Sequence, residues 1–154
     1  MKYFLFFLFP FLTLHGLAQT ATISPMPPAG NAIYFDADRM AASFKKGEPL
    51  FLTNEYKVMT GHREKPGDVE LHTYDTDFFY VVDGAATFVV GGKGIGMKQI
   101  APGELRGTSI EGGETFHLKK GDVIIVPKGT PHQYTEVNGL FDYFVVKATS
   151  SQGG

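Results

Sequence analysis

The sequence predicts an all-β domain, a sandwich or barrel of short strands, preceded by one short helix. From residue 50 onward, short runs of β-branched and aromatic residues alternate with turns, and most of the 19 glycines lie in this part of the chain. Only residues 36–46 have a helical pattern, with Asp36 or Asp38 as the N-cap and two apolar residues one turn apart. The length of 154 residues fits one domain.

Residues 1–18 have the pattern of a secretory signal peptide. Lys2 supplies the positive start, residues 3–14 are almost wholly apolar, and small residues lead to a cleavage site after Ala18. The apolar run is shorter than the roughly 20 residues that a membrane-spanning helix needs, and Pro10 interrupts it. We therefore expect an extracytoplasmic protein, periplasmic or secreted, that has no membrane contact after cleavage.

The remaining chain divides into three predicted segments. Residues 19–49 form an extended lead-in that includes the short helix, residues 50–148 form the β-domain, and residues 149–154 form a disordered tail. Within the domain, residues 91–114 are rich in glycine and have little strand pattern. A segment of this length predicts a lid or binding loop over the barrel mouth.

Glycine turns divide the domain into pairs of strands. Asp83-Gly84-Ala85 separates two β-rich runs and is a hairpin signal. Residues 120–121 and 138–139 join two further pairs of apolar runs, so we expect three pairs of consecutive strands.

Charge and composition exclude several classes of function. A formal net charge of −2 gives no electrostatic basis for binding nucleic acid or an anionic membrane surface. The chain contains no cysteine, which excludes a thiolate nucleophile, a disulfide framework and a cysteine-ligated zinc site. The partner that we expect is a small-molecule ligand.

Two segments carry the residues suited to metal chemistry. Glu70 and His72 stand at i and i+2 on one predicted strand, so their side chains project from the same face. Asp77 opens the next apolar strand and can face them, while His132 follows a Pro-Gly turn after a distant strand. Imidazole and carboxylate ligands suit iron, manganese or zinc. We expect these four residues to converge on one divalent ion.

The two acidic residues supply a further reason to expect a cation. Two carboxylates that face one cavity repel each other and have raised pKa values unless a cation lies between them. Each of the four residues also has a purely structural interpretation, as a buried histidine bonded to a neighbour, a histidine required by the turn, or a carboxylate in water at the rim. His62 and His117 stay outside this set, although His117 could line the cavity as a further base.

These segments resemble the two motifs of the cupin family, the RmlC-like jelly-roll proteins. The family's second motif runs Gly, five residues, Pro-x-Gly, two residues, His, three residues, Asn. This sequence matches it from Gly121 through Pro127 and Gly129 to His132, and departs at the last position, where Glu136 stands for Asn.

The first cupin motif is matched in spacing but altered in content. The family pattern places His-x-His before a Glu. Here Glu70 stands for the first His, His72 matches the second, and Asp77 stands for the Glu, with Gly84 following at the expected spacing. Both substitutions supply an oxygen ligand. Asp77 has a shorter side chain than the family's Glu, so we expect it to bind through water or not at all.

The resemblance covers residues 50–147 and implies an antiparallel jelly-roll barrel, a metal ion held at these four positions, and a homodimer. It leaves the catalytic residues unknown, because oxygenases, isomerases and lyases all share this fold. The leading interpretation is a metal-dependent enzyme that acts on a small organic substrate chelated to the ion. The alternatives are a non-catalytic cupin that binds a small molecule and a metal-free, sugar-epimerase-like cupin, in which the two carboxylates would have no role.

Overall fold

A computed structural model describes residues 22–150. It contains the predicted helix as α1 (Ala37–Phe44), and Asp36 is the N-cap because its Oδ1 accepts a hydrogen bond from the N–H of Arg39 at 2.7 Å. Between residues 22 and 150, no helix combines the length and the apolar character needed to cross a membrane. The predicted signal peptide and residues 151–154 of the predicted tail lie outside the described residues.

Strands make up most of the described chain. In order after the helix they are β1 (Pro49–Leu52), β2 (Tyr56–Arg63), β3 (Val69–His72), β4 (Asp75–Asp83), β5 (Ala85–Val90), β6 (Lys93–Ile95), β7 (Lys98–Ala101), β8 (Glu104–Gly107), β9 (Ser109–Glu111), β10 (Glu114–Lys119), β11 (Val123–Val126), β12 (His132–Val137) and β13 (Phe141–Thr149). The last strand therefore extends one residue into the segment expected to be a disordered tail.

These strands form two sheets that pack on each other. The five-stranded sheet has the order β1-β2-β13-β4-β11, and the six-stranded sheet has the order β10-β5-β12-β3-β8-β7. Strands β6 and β9 form a separate antiparallel ribbon. The neighbouring strands within both sheets are antiparallel, which confirms the predicted all-β antiparallel barrel with one short helix.

The prediction of a hairpin at Asp83-Gly84-Ala85 is wrong. β4 belongs to the five-stranded sheet and β5 to the six-stranded sheet, so the turn carries the chain from one sheet to the other. The turns before β11 and β13 cross between the sheets in the same way. Gly84 has a φ of +82°, and a Cβ there would lie 1.9 Å from the carbonyl oxygen of Leu140. Glycine is thus required at this turn because two chain segments pass close to each other. The sequence around the turn is the same as that expected for a hairpin.

The prediction that residues 91–114 form a long loop is also wrong. This segment contains β6 to β9, and β8 and β7 extend the six-stranded sheet beyond β3. The strands are only three or four residues long; all four residues of β7 are exposed, and Gly107 of β8 is the one buried residue in the four strands. Strands this short, without buried apolar side chains, show no apolar alternation, so the sequence pattern could not reveal them.

An aromatic core fills the space between the sheets and supports a polar cluster. Phe79 and Val81 on β4 and Phe88 on β5 are buried, and full burial of such a side chain stabilises the fold by roughly 1.5–3 kcal/mol. Alternation along β4 turns Asp77 to the same interior face as Phe79. The ring of Phe79 in turn lies 6.2 Å from that of His132, measured between centroids. The polar site therefore rests directly on the hydrophobic core.

Candidate metal centre

Strand register in the six-stranded sheet places the polar residues side by side. His132 on β12 lies directly opposite Glu70 on β3, and His72 on β3 lies directly opposite Glu104 on β8. Residues that face each other across two antiparallel strands project from the same face of the sheet. Since Glu70 and His72 are two residues apart on β3, their side chains lie on the same face. All four side chains therefore point into the barrel from one wall.

The opposite sheet contributes Asp77 and Lys147. These two residues are register partners on β4 and β13, and Lys147 Nζ lies 2.5 Å from Asp77 Oδ2. The same Oδ2 atom is 3.4 Å from His72 Nε2 and 3.8 Å from His132 Nε2. His72 Nε2 also lies 3.5 Å from Glu70 Oε2. The structure thus brings together all four residues that the sequence predicted; their role as metal ligands stays a prediction.

Both histidines have a hydrogen bond that fixes which ring nitrogen carries the proton. His72 Nδ1 lies 2.7 Å from Oε2 of Glu104, and His132 Nδ1 lies 3.0 Å from the carbonyl oxygen of Thr130. A carboxylate and a carbonyl can only accept, so Nδ1 is the donor in each ring. In the neutral form both Nε2 atoms then present lone pairs to the site, which is the arrangement of metal-binding histidines.

Burial and neighbouring charges shift the pKa values of the two histidines in opposite directions. Burial lowers the pKa of His132 to about 4, so this ring is neutral near pH 7. Burial also opposes a charge on His72, but the hydrogen bond from its Nδ1 to Glu104 and the nearby carboxylate of Glu70 outweigh that effect and raise its pKa. His72 Nε2 is buried and has no hydrogen-bond partner among the described residues. A proton on this atom would compete with a metal ion.

Glu70, His72 and His132 form one of two compact sets of potential ligands. Each offers one ligand atom, and these atoms all lie within 4.8 Å of one another. Two histidines and one carboxylate with open positions are typical of non-haem iron sites. Asp77 lies next to this set, but its Oδ2 is already engaged by Lys147. A second group, His72 with Asp75 and Glu104, is equally compact.

That second group is less suited to an ion because Asp75 already has two partners. Its Oδ2 lies 2.5 Å from Lys57 Nζ, and its Oδ1 accepts a hydrogen bond from the Thr149 hydroxyl at 2.7 Å. Burial alone would raise the pKa of Asp75, but its hydrogen bonds to Lys57 and Thr149 lower it below the ordinary value.

Comparison with known proteins identifies the fold. No protein-family model matches the sequence, and a search of curated proteins gave no significant match. Among solved structures, an uncharacterised conserved protein with a double-stranded β-helix domain from Klebsiella pneumoniae is 21% identical, with a TM-score of 0.53 over 80% of this chain and 95% of that chain. An RmlC-like cupin family protein with a double-stranded β-helix fold from Methanocaldococcus jannaschii is 17% identical, with a TM-score of 0.50 over 79% and 92%. The Cnp3 cupin domain of Schizosaccharomyces pombe is 16% identical, with a TM-score of 0.51 over 68% and 64%.

This chain has the cupin fold. The jelly-roll architecture that the motif resemblance implied is therefore confirmed, and identities this low carry nothing further about ligand or reaction. The departure at the end of the second cupin motif lies outside the site, because Glu136 is exposed and accepts a hydrogen bond from the Thr87 hydroxyl at 2.9 Å. His117 is exposed on β10, so the expectation that it lines the cavity is wrong.

The name cupin site is used here for Glu70, His72, Asp77, Glu104 and His132. Every carboxylate in it has a cationic partner that the sequence analysis did not predict. Glu70 Oε1 lies 3.0 Å from Arg63 Nη2, and its Oε2 lies 3.4 Å from Arg106 Nη2. Arg106 Nη1 lies 3.5 Å from Glu104, and Lys147 holds Asp77. The repulsion expected between Glu70 and Asp77 is therefore already relieved by cations of the protein itself, and the two carboxylates alone do not require a metal ion.

These partners also set the pKa values of the acids. Burial would raise the pKa of Glu70, but the adjacent His72 ring and the charges of Arg106, His132 and Arg63 hold it well below its ordinary range. Burial raises the pKa of Asp77 even though Lys147 lies beside it.

Two cavities adjoin the cupin site. One, of about 360 Å³, lies inside the barrel and is lined by Arg63, Glu70, Asp77, His132 and Lys147 among others. The other, of about 650 Å³, lies on the side of β8, where Glu104 and Arg106 contribute to its wall. Glu70 and Lys147 line both, so the candidate metal centre stands between two spaces that a small molecule can enter.

Proposed function

We propose that this chain is an extracytoplasmic cupin that binds one divalent metal ion, iron, manganese or zinc, and acts as an enzyme on a small organic molecule chelated to that ion. The observation that carries the proposal is the orientation of His72 and His132. His72 donates from Nδ1 to Glu104 and His132 donates from Nδ1 to the carbonyl oxygen of Thr130, so both rings present Nε2 to the carboxylates of Glu70 and Asp77.

The contacts around these Nε2 atoms favour a cation between the facing groups. An imidazole lone pair and a carboxylate oxygen, both electron-rich, repel each other at 3.4 to 3.8 Å unless a proton or a cation lies between them. His132 is neutral near pH 7, so its Nε2 carries no proton that could serve this purpose. The donor set of two imidazoles and a carboxylate therefore fits a first-row divalent ion.

A divalent ion held by Glu70, His72 and His132 supplies Lewis acidity and open positions for a chelating substrate. The residues around it have separate tasks. Glu104 holds the His72 ring in the tautomer that binds metal. Lys147 keeps Asp77 ion-paired beside the site, where its carboxylate can accept a proton or a hydrogen bond from a bound molecule. The aromatic core beneath His132 excludes water from that side.

A metal-free, small-molecule-binding cupin is the second candidate, and one observation favours it. Arg63, Arg106 and Lys147 already neutralise the three carboxylates, and His72 has a raised pKa, so a protonated His72 could link Glu104 to the site without metal. The metal-free epimerase needs a tyrosine acid in the cavity. Tyr134 is a poor one because its hydroxyl is buried and has no partner among the described residues, and burial raises its pKa far above the ordinary value.

Elemental analysis separates these candidates. The protein is purified without chelators and without a histidine tag, together with the variants His72→Ala and His132→Ala and the control His117→Ala, whose imidazole is exposed on β10. The proposal predicts close to one divalent ion per chain in the wild type and the control, and little in the two site variants. Equal metal content in all four proteins would refute it. Turnover against a panel of small organic acids and sugars then separates the enzyme from the binding protein.

Extracytoplasmic location is supported by the sequence pattern of residues 1–18. Expression of the full chain followed by cell fractionation and N-terminal sequencing tests it. We expect the mature protein in the periplasm or medium with Gln19 as its first residue. An intact Met1 on cytosolic protein would contradict this part of the proposal.

A further inference from the structure

Charge balance in the cupin site depends on whether a metal ion is bound. The site contains three carboxylates, Glu70, Asp77 and Glu104, which contact three cations, Arg63, Arg106 and Lys147. Three negative and three positive charges cancel, and histidines that bind metal are neutral. The loaded site therefore carries an excess of two positive charges, which a partly buried site tolerates poorly unless an anion compensates it.

Arg63 is the cation best placed to receive such an anion. Its guanidinium lies over the ring of Tyr134 at 4.7 Å from the centroid, and its Nε donates to the Tyr143 hydroxyl at 3.3 Å. Gly67 makes room for it, since a Cβ at that position would lie 2.4 Å from Arg63 Nη1. The guanidinium is thus fixed on several sides. Within residues 22–150, Nη1 has no hydrogen-bond acceptor, while Nη2 bonds to Glu70.

The guanidinium of Arg63 contacts the candidate metal centre directly through Glu70. Nη2 lies 3.0 Å from Oε1 of Glu70, and the other oxygen of the same carboxylate lies 3.5 Å from His72 Nε2. Arg63, Glu70 and His132 line the same barrel cavity of about 360 Å³. A molecule of only a few carbons can therefore touch the guanidinium and the metal position together. A planar carboxylate matches the fork geometry of a guanidinium.

We infer that the metal-loaded cavity takes a small organic acid, with one carboxylate on the guanidinium of Arg63 and a second oxygen reaching the ion beside Glu70 and His132. This inference rests on the proposed metal site and names the substrate class that the site selects. Neutral polyols and sugars of the same size lack the negative charge that the loaded site requires.

Isothermal titration calorimetry on the zinc-loaded protein tests the inference. Malonate serves as the acid and malonamide as its neutral counterpart of similar size. We expect malonate to bind at least about tenfold more tightly than malonamide. Arg63→Met should weaken malonate binding by about tenfold or more and leave malonamide unchanged. The control Lys65→Met removes the same charge from an exposed neighbour, and malonate affinity should change by less than about twofold.

Arg63→Lys decides the outcome if Arg63→Met does not fold. It keeps the charge but loses the planar fork, so malonate should still bind more weakly than to the wild type. Zinc content is measured on every protein first. A wild type that holds no zinc overturns the metal proposal and this inference together. A wild type that holds zinc but binds malonamide as tightly as malonate overturns the inference alone. Inorganic phosphate that binds as tightly as malonate, with or without zinc, would show an adventitious ion only and would also overturn it.

Discussion

His72 Nδ1 lies 2.7 Å from Oε2 of Glu104, the residue directly opposite it on the neighbouring strand. Glu104 is not one of the residues that the sequence predicted, yet it determines which nitrogen of His72 faces the site. The contact links the segment of residues 91–114 to the first cupin motif. It also makes the proposed metal binding depend on a side chain that does not itself need to touch the ion.

Glu104→Ala should weaken zinc binding by about 10- to 100-fold, because His72 then loses the acceptor that orients its ring. Competition with a chromophoric chelator measures the dissociation constant. Glu111→Ala removes an exposed carboxylate from β9 in the same segment and is the matched control, with an unchanged affinity expected. Equal affinities for wild type and Glu104→Ala would mean that the contact has no part in metal binding.

The four predicted ligands should differ in their importance. His132→Ala and His72→Ala should remove most metal, Glu70→Ala somewhat less, and Asp77→Ala least, because Lys147 already engages the Asp77 carboxylate. A free ion at 100 times its dissociation constant stabilises the fold by about 2.7 kcal/mol. A chelator should therefore lower the melting temperature of the wild type and leave that of His132→Ala unmoved. Equal shifts in both proteins would place the metal elsewhere.

Lys147→Met should destabilise the metal-free protein by about 3–5 kcal/mol, since it leaves the buried Asp77 without its cation. Urea unfolding in the presence of a chelator measures the loss, and added zinc should recover part of it by approaching Asp77 in place of the ammonium. Lys120→Met breaks an exposed pair with Asp83 and should cost about 1 kcal/mol or less. A loss in Lys147→Met no larger than that in Lys120→Met would show that the interior pair is not needed.

Some of this site could be predicted from the sequence. The alternation of residues along β3 and the turn before β12 placed Glu70, His72 and His132 on one interior wall, as the structure shows. The position of the lysine on the last strand could also have been predicted from the sequence. Phe141, Tyr143 and Val145 are buried at alternate positions of β13, and Lys147 is the next residue in this series. A charged residue at an interior position indicates a buried partner of opposite charge.

Glu104 and Arg106 could not be found in this way. They reach the site because β8 pairs with β3, a strand more than 30 residues earlier in the chain. The local pattern of residues 91–114 contains no information about that pairing, since its strands are short and have little buried surface. For the same reason, the turn at Gly84 could not be distinguished from a hairpin. Whether β4 and β5 pair with each other or join different sheets depends on strands that come later in the chain.

The stability of the metal-free protein should rise with pH because of His132. Burial lowers the pKa of His132 to about 4 in the folded state, against about 6.5 in an unfolded chain. Between these values the unfolded chain binds a proton that the folded chain does not, so the free energy of unfolding increases with pH, by about 3 kcal/mol in total. Urea unfolding at about pH 5 and about pH 6.5 measures about half of this rise, roughly 1.6 kcal/mol, which His132→Gln should abolish and His117→Gln should retain.

Other groups titrate outside that window or with the opposite sign. The raised pKa of His72 stabilises the fold below about pH 6.5, and this contribution is lost as the pH rises through the folded value. The lowered pKa values of Glu70 and Glu104 contribute stability above their ordinary range near 4.5, and that stability is lost in more acidic solution. A rise between pH 5 and 6.5 that is equal in wild type and His132→Gln would therefore contradict the assignment.

X-ray absorption at the zinc edge tests the central claim most directly, because it reports the atoms that surround the ion. The account predicts two imidazole nitrogens at about 2.0–2.1 Å and at least one carboxylate oxygen at about 2.0–2.2 Å in the wild type. It predicts one imidazole fewer in His72→Ala or His132→Ala loaded at high zinc, and an unchanged spectrum in His117→Ala. A wild-type spectrum without imidazole scattering, or two imidazoles persisting in the doubly substituted His72→Ala, His132→Ala protein, would contradict a metal centre at Glu70, His72 and His132.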